Sequence, residues 1–320
     1  MEKSHLPVLR AMPDVSVSWL ADINFQKARA LGDAHHIAAV DLSRGATFLP
    51  AAEVVLIAIP IGARARYLES VRAARSAAYV EKPLARSVEE HRALCSSFAD
   101  YQLGCGFQRR SSGPIQLLRQ IIKERIFGEL RSIRFGWGSP GSSGGDGFLA
   151  DLRLAGGGVL AEQAVHGIDA MLFCAGAKAI ELRNARMSSI RNFDVHSEAR
   201  ALLYCDDLEV DCEITVSLLK RTINRTEYHW DHAVLHHTFD DALLLGTAGG
   251  DSICRLQPRS GVQYPLGPYQ CLYMHWQNFI VGLREKRANY TSAAAALITT
   301  QLIESIYRAM VPLDGELCHQ

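Results

Sequence analysis

Residues 79–85, Tyr79-Val80-Glu81-Lys82-Pro83-Leu84-Ala85, end a short apolar run with an acid, a base and a proline. Residues 77–80 read as a buried parallel strand, so the charged pair falls at its carboxyl end. In doubly wound α/β folds that end is where ligands collect. Pro83 keeps the Lys82 backbone out of the helical region and extended. An ammonium held there can donate hydrogen bonds to a substrate hydroxyl. A lysine on an ordinary surface loop writes the same letters, so the stretch needs support from the rest of the chain.

The flanking rhythm supplies a frame. Residues 4–12 place Leu6, Val8, Leu9 and Met12 at helical spacing before Pro13 and Asp14 stop them. Val15, Val17 and Trp19 then alternate as a strand ending at Asp22. Residues 54–60 (VVLIAIP) are a continuous apolar run, 64–74 are helical, Ser87-Val88-Glu89-Glu90 is a capping box, and 102–107 form another strand. Such alternation predicts a Rossmann-like, doubly wound parallel sheet over residues 1–114. After that the pattern changes: a helix at 114–126, a strand at 130–135, a Gly/Ser loop at 136–147 and a helix at 158–174. Several strands between 180 and 260, then helices at 270–285 and 292–310, predict a second α+β unit over 115–320. Its sheet is expected to be open and mostly antiparallel.

Composition narrows the function classes. The 320 residues carry 34 basic and 34 acidic side chains and are 48% apolar, with mean hydropathy +0.01. No charge excess argues for nucleic acid or a membrane surface. No apolar run approaches the roughly 20 residues that span a bilayer, and the amino-terminal residues lack a signal-peptide core. Eight scattered cysteines without CxxC or zinc-finger spacing read as reduced thiols of a cytoplasmic protein.

The second informative stretch is Gly156-Gly157-Gly158-Val159-Leu160-Ala161-Glu162-Gln163-Ala164-Val165-His166-Gly167-Ile168-Asp169. On a regular helix Glu162, His166 and Asp169 share one face. An imidazole between two carboxylates suits a general base. A metal site or a purely structural polar cluster fits the same three residues.

Together these stretches resemble the glucose–fructose oxidoreductase and inositol dehydrogenase family (Gfo/Idh/MocA) over nearly the whole chain. Glu81-Lys82-Pro83 matches the family signature after its fifth strand, and the GGG helix with an acid, a histidine and Ile-Asp follows about 80 residues on. Pro60, the Arg109-Arg110 pair and the Leu302-Ile303-Glu304-Ser305-Ile306-Tyr307 helix agree. The resemblance implies an NAD(P)-dependent oxidoreductase that interconverts a secondary alcohol and a ketone on a sugar, cyclitol or related polyol. It assigns Lys82 to polarise the reacting oxygen and His166 to carry its proton. Glu162 stands where many members have Asp, Asp169 steadies His166, and Arg110 or Arg109 contacts substrate. Asp22, Pro60, Glu81 and Lys82 fall at cofactor positions, with Asp22 favouring NAD over NADP. No metal is implied, and a homodimer or homotetramer is expected.

Two departures temper the resemblance. The family's GxGxxG turn precedes a helix like 4–12, and the sequence starts at that point. Either the first strand and glycine turn stand upstream, or cofactor binding is weak or lost, leaving a binding or regulatory protein. A lyase or glycosidase using tightly bound NAD is a further alternative. Gly136-Trp137-Gly138-Ser139-Pro140-Gly141 has GxGxxG spacing but no helix after it, so it is not the missing turn. The chain also has Ile59-Pro60 and Arg64 where members often show Thr or Asn before Pro, and then His. The segment Tyr228-His229-Trp230-Asp231-His232, with His236 and His237, reads as strand surface or substrate wall rather than a metal site.

Overall fold

The computed structural model describes residues 1–43, 49–141, 151–190, 193–247, 252–256, 269–309 and 311–312. Its first five strands are short and parallel: β1 (Trp19–Asp22), β2 (Ala38–Asp41), β3 (Val54–Ile57), β4 (Ala77–Val80) and β5 (Leu103–Cys105). They form two sheets, ordered β1-β2 and β3-β4-β5. These are the two flanks of a doubly wound sheet, with β1 and β3 each paired on one side only among the described residues. Both flanks feed one core, to which Leu42 after β2, Val55 and Ile57 of β3, and Val80 of β4 contribute. All four residues of β4 are buried, as an apolar run in a parallel sheet requires.

Helix α1 (His5–Arg10) precedes β1, and α2 (Phe25–His35), α3 (Ala65–Ala73) and α4 (Val88–Ser97) join these strands. At α4 the capping serine behaves as expected: Ser87 Oγ accepts the Glu90 amide at 3.1 Å. The return bond of the box differs, because the Glu90 carboxylate takes the Arg86 amide at 2.8 Å.

The second unit opens with α5 (Gly113–Lys123), whose first turn is capped by Ser112 Oγ on the Ile115 amide at 3.2 Å. Then come β6 (Ser132–Gly138), α6 (Leu152–Ala155), α7 (Val165–Ala175), β7 (Ala179–Ile190), β8 (Phe193–Cys205), β9 (Leu208–Ser217), β10 (Arg225–His229), β11 (Ala233–Thr238), β12 (Leu243–Thr247) and β13 (Ser252–Leu256). With β14 (Val311–Pro312) they make one nine-stranded sheet, ordered β13-β12-β11-β10-β6-β9-β8-β7-β14. Pairing is parallel at β6–β9 and β7–β14 and antiparallel elsewhere. Gly136 and Gly138, expected in a loop, continue β6. Ile223 and Thr222 lie where their side chains would be, which accounts for the glycines without any phosphate. Residues 142–147 of that expected loop lie outside the described residues, as does Cys318.

One face of the large sheet carries α5 and α7; the other is polar. There Arg134 and Arg200 flank Glu213 at 3.4 and 3.0 Å across β6, β9 and β8. Further along, Arg225 and His229 hold Glu227 at 2.6 and 3.3 Å, with Tyr228 and Trp230 turned into the core. His229 and His236 therefore lie on this polar strand face, whereas His237 is buried and pairs with Asp241 at 2.8 Å.

Helices α8 (Gln270–Glu285) and α9 (Leu297–Ala309) return to the first unit. Leu272, Trp276 and Phe279 of α8 cover Tyr79 of β4 together with Val8 and Leu9 of α1 and Met12 just beyond it. Two fully buried histidines fasten this return. His275 bonds the Cys105 carbonyl at 2.9 Å through Nε2 and Ser111 Oγ at 3.0 Å through Nδ1. His91 spans the Ala293 carbonyl at 2.9 Å and Thr300 Oγ1 at 2.8 Å. Burial lowers both imidazoles' affinity for a proton, His275 to about 4.

The unfolded chain takes up protons on these histidines near pH 6.5, whereas the folded chain resists. Folding stability is therefore expected to be full above pH 6.5 and to fall as pH drops toward 4. Each such histidine contributes a slope of up to about 1.4 kcal/mol per pH unit. Urea midpoints measured across that range check this, and His275→Gln should flatten the slope.

Candidate active site

The triple glycine fixes how the helix carrying Glu162 and His166 begins. Asp194 of β8 accepts the Gly158 amide at 2.5 Å, the Leu160 amide at 2.9 Å and the Tyr307 hydroxyl of α9 at 2.8 Å. A side chain on Gly158 would collide with Asp194, and one on Gly157 would sit 2.5 Å from the Tyr307 oxygen. Burial raises the Asp194 carboxyl, while its three donors oppose that rise. Asp194 has no sequence signature, since its partners lie 34 and 113 residues away.

The expected single helix at 158–174 is instead a π turn, Leu160–Ala164, running into α7. The wider turn changes the angular spacing, so Glu162, His166 and Asp169 do not meet on one face. Glu162 faces Lys82, whose Nζ donates to the Glu162 carbonyl at 2.6 Å and to its carboxylate at 3.3 Å. That contact joins the end of β4 to the start of α7 across 80 residues of sequence.

His166 is half-buried, edge-on to Phe107 with ring centroids 6.0 Å apart. Its Nδ1 is buried with no partner among the described residues, while Nε2 is not buried in this way. Burial first, and then the Lys82 charge, push the imidazole down to about 3, so it is neutral near pH 7. Beside Lys82, Glu81 accepts the Lys82 amide at 3.2 Å and His5 Nε2 at 2.6 Å. Burial works to raise Glu81, but the His5 bond and nearby positive charge leave its carboxyl below the usual range.

Two expected roles change. Asp169 does not touch His166; its carboxylate takes Arg110 Nε at 2.7 Å, Arg110 Nη2 at 2.5 Å and Thr299 Oγ1 at 2.7 Å. Arg110 is 2% exposed and spends its other donors on the Tyr290 and Ala295 carbonyls, so it has no face toward a substrate. Arg109 is the member of the pair left at the site: it lies over Phe239, and its charge reaches His166.

Asp22 is exposed at the end of β1 and accepts the Asn24 amide at 2.8 Å. Pro60 opens the 3₁₀ turn Ile61–Ala63 after β3. Arg64, which stands where the family pattern differs, is buried there. It donates to the Ile59 carbonyl at 2.8 Å and to the Pro83 carbonyl, clamping the loops after β3 and β4 together.

Residues 115–236 match the GFO/IDH/MocA C-terminal domain. This chain has the Gfo/Idh/MocA fold. An aldose–aldose oxidoreductase from Caulobacter crescentus, solved with glycerol, superposes with a TM-score of 0.79 at 15% identity, covering 95% of this chain and 92% of that one. A levoglucosan dehydrogenase solved with NADH and levoglucosan gives 0.76 at 18% identity, covering 92% and 88%. A 3-ketoreductase from Actinomadura kijaniata, solved with NADP, gives 0.78 at 16% identity, covering 97% and 94%. No curated protein matches by sequence.

Within this Gfo/Idh/MocA fold, the Arg110–Asp169 pair is structural. Asp169→Ala alone should cost about 3–5 kcal/mol by stranding a buried guanidinium. Replacing both partners with apolar residues, Arg110→Met with Asp169→Leu, should cost markedly less. Urea unfolding of the three proteins decides it.

Proposed function

We propose that the chain interconverts a secondary alcohol and a ketone on a sugar, cyclitol or related polyol, with NAD, ahead of NADP, as hydride partner. The observation that carries this is the Lys82–Glu162 contact, set beside a neutral His166 at the carboxyl end of β4. The sugar oxidoreductases that share the fold support the substrate class.

The reacting end fits the cofactor. His166 Nδ1 is an orphaned buried polar atom, and Pro60 and Asp22 stand at strand ends where the nicotinamide and ribose belong. Asp22 offers an acceptor to ribose hydroxyls and repels a 2′-phosphate. When bound, nicotinamide supplies the hydride acceptor or donor. Lys82 has three N–H donors; two face Glu162, and the third is free for the substrate oxygen. As the alcohol becomes a ketone, Lys82 stabilises the charge on that oxygen and His166 takes its proton on Nε2. In the reverse direction the same nitrogen returns it. Glu162 orients the ammonium, and Arg109 is the proposed substrate contact in place of Arg110. The polar face of the nine-stranded sheet is the proposed contact of a cytoplasmic homodimer or homotetramer.

A second reading, a binding protein without cofactor, is favoured by one observation. The amides of Ser4, His5 and Leu6 at the start of α1 all point to the Met1 carbonyl, at 3.2, 3.0 and 3.3 Å. Those three amides are therefore spent within the chain rather than offered to a pyrophosphate.

Titration with NADH, followed by nicotinamide fluorescence, separates the two, with a chain carrying upstream codons alongside. Binding in either form supports the dehydrogenase; no binding at millimolar NADH in both supports the second reading. In the form that binds, Lys82→Ala and His166→Ala should each lower kcat by roughly 10²–10⁴-fold. NADH affinity should stay within a few-fold of the parent.

A further inference from the structure

His5 is a buried imidazole, 3% exposed, that the proposed chemistry does not use. It stands on α1 between two fixed partners. Trp276 Nε1 of α8 lies 2.9 Å from His5 Nδ1, and Glu81 Oε1 lies 2.6 Å from His5 Nε2. An indole N–H only donates, so Nδ1 accepts and carries no proton. The proton of this neutral imidazole therefore sits on Nε2 and is donated to Glu81. An imidazolium would aim a second N–H at the indole N–H, so the pairing with Trp276 selects the neutral form.

The Glu81 carboxylate is held at both oxygens, by His5 and by the Lys82 amide. Around it lie Lys82, His166 of α7, Arg64 before α3, Cys105 of β5 and His275 of α8. Tyr79 of β4 also faces it, edge-on to His5 at 5.9 Å between ring centroids. Among the described residues, His5 is the one side chain that gives Glu81 a hydrogen bond.

We propose that His5 is a positioning residue: as a neutral donor locked by Trp276, it keeps Glu81 ionised and oriented beside Lys82 and His166. A helix that touches neither residue thereby sets the charge next to both. This rests on the assignment of Lys82 and His166 as the reacting pair. Removing the donor leaves burial unopposed at Glu81, and a carboxyl that picks up a proton no longer supports the neighbouring ammonium.

The test is carbon-13 NMR titration of the Glu81 carboxyl, in the chain without cofactor or substrate. His5→Leu should raise the Glu81 midpoint by a pH unit or more, a tenfold change in proton affinity. His5→Gln places an amide acceptor and donor where Nδ1 and Nε2 were, and should keep that midpoint near the parent's. An unmoved Glu81 in His5→Leu, or a Gln variant that shifts as Leu does, overturns the proposal. Should the Leu variant fail to fold, Trp276→Phe keeps an aromatic ring and removes the N–H that holds Nδ1. The Glu81 carboxyl resonance should then move from the parent's, and an unchanged resonance overturns the proposal equally. Because neither measurement involves turnover, loss of the hydride-transfer reading and loss of the His5 role are separately visible.

Discussion

The Arg110 guanidinium, buried against Asp169, is the constraint that fixes the rest of the site. A charge out of water persists only if it is paired and its donors are used. Arg110 satisfies this with both oxygens of Asp169 and the carbonyls of Tyr290 and Ala295. With its partners, Arg110 joins three separate pieces of chain: its own turn after β5, helix α7 and the segment leading into α9. No piece can shift without stranding a charge, so the rotation of α7 about its axis is set from beneath. His166 and Asp169 are three residues apart on that helix, and pinning one aims the other.

This pairing also decides the electrostatics above it. With Asp169 consumed, no carboxylate among the described residues bonds the His166 ring, and burial together with Lys82 keeps it neutral. Two other acids remain, and each is held by a different partner. Glu162 is bound to the Lys82 ammonium, while Glu81 is bound to His5 and the Lys82 backbone. The cation is thus bracketed by two anions of separate origin, one from each unit of the chain. Such a lysine stays fixed without being fully neutralised, because the Glu162 contact is long at 3.3 Å and partly solvated.

Much of this was legible in the sequence, and the part that was not has a common cause. Local patterns wrote the short parallel strands, the Ser87 cap and the Lys82 strand end, because each depends on neighbours within a few residues. The helical wheel at 158–174 failed for a physical reason: a π turn inserts where Asp194 and Tyr307 grip the glycines, and both grips come from distant strands and helices. Adjacent arginines are indistinguishable in a string, yet Arg110 faces inward and Arg109 outward, since only one can meet Asp169. His5 sits in a helix that reads plainly, but its partners lie 76 and 271 residues away.

The departures from the family pattern after β3 take on a sharper meaning in three dimensions. Ile59 lacks the side-chain donor that a threonine brings, but its carbonyl is bound by Arg64, which also binds the Pro83 carbonyl. One long side chain therefore ties together the loops that follow β3 and β4. Such a clamp fixes the backbone of both loops through their carbonyls and leaves the polar groups they offer to other side chains. The loops' backbone belongs to the fold, and what they recognise belongs to the side chains this sequence places on them.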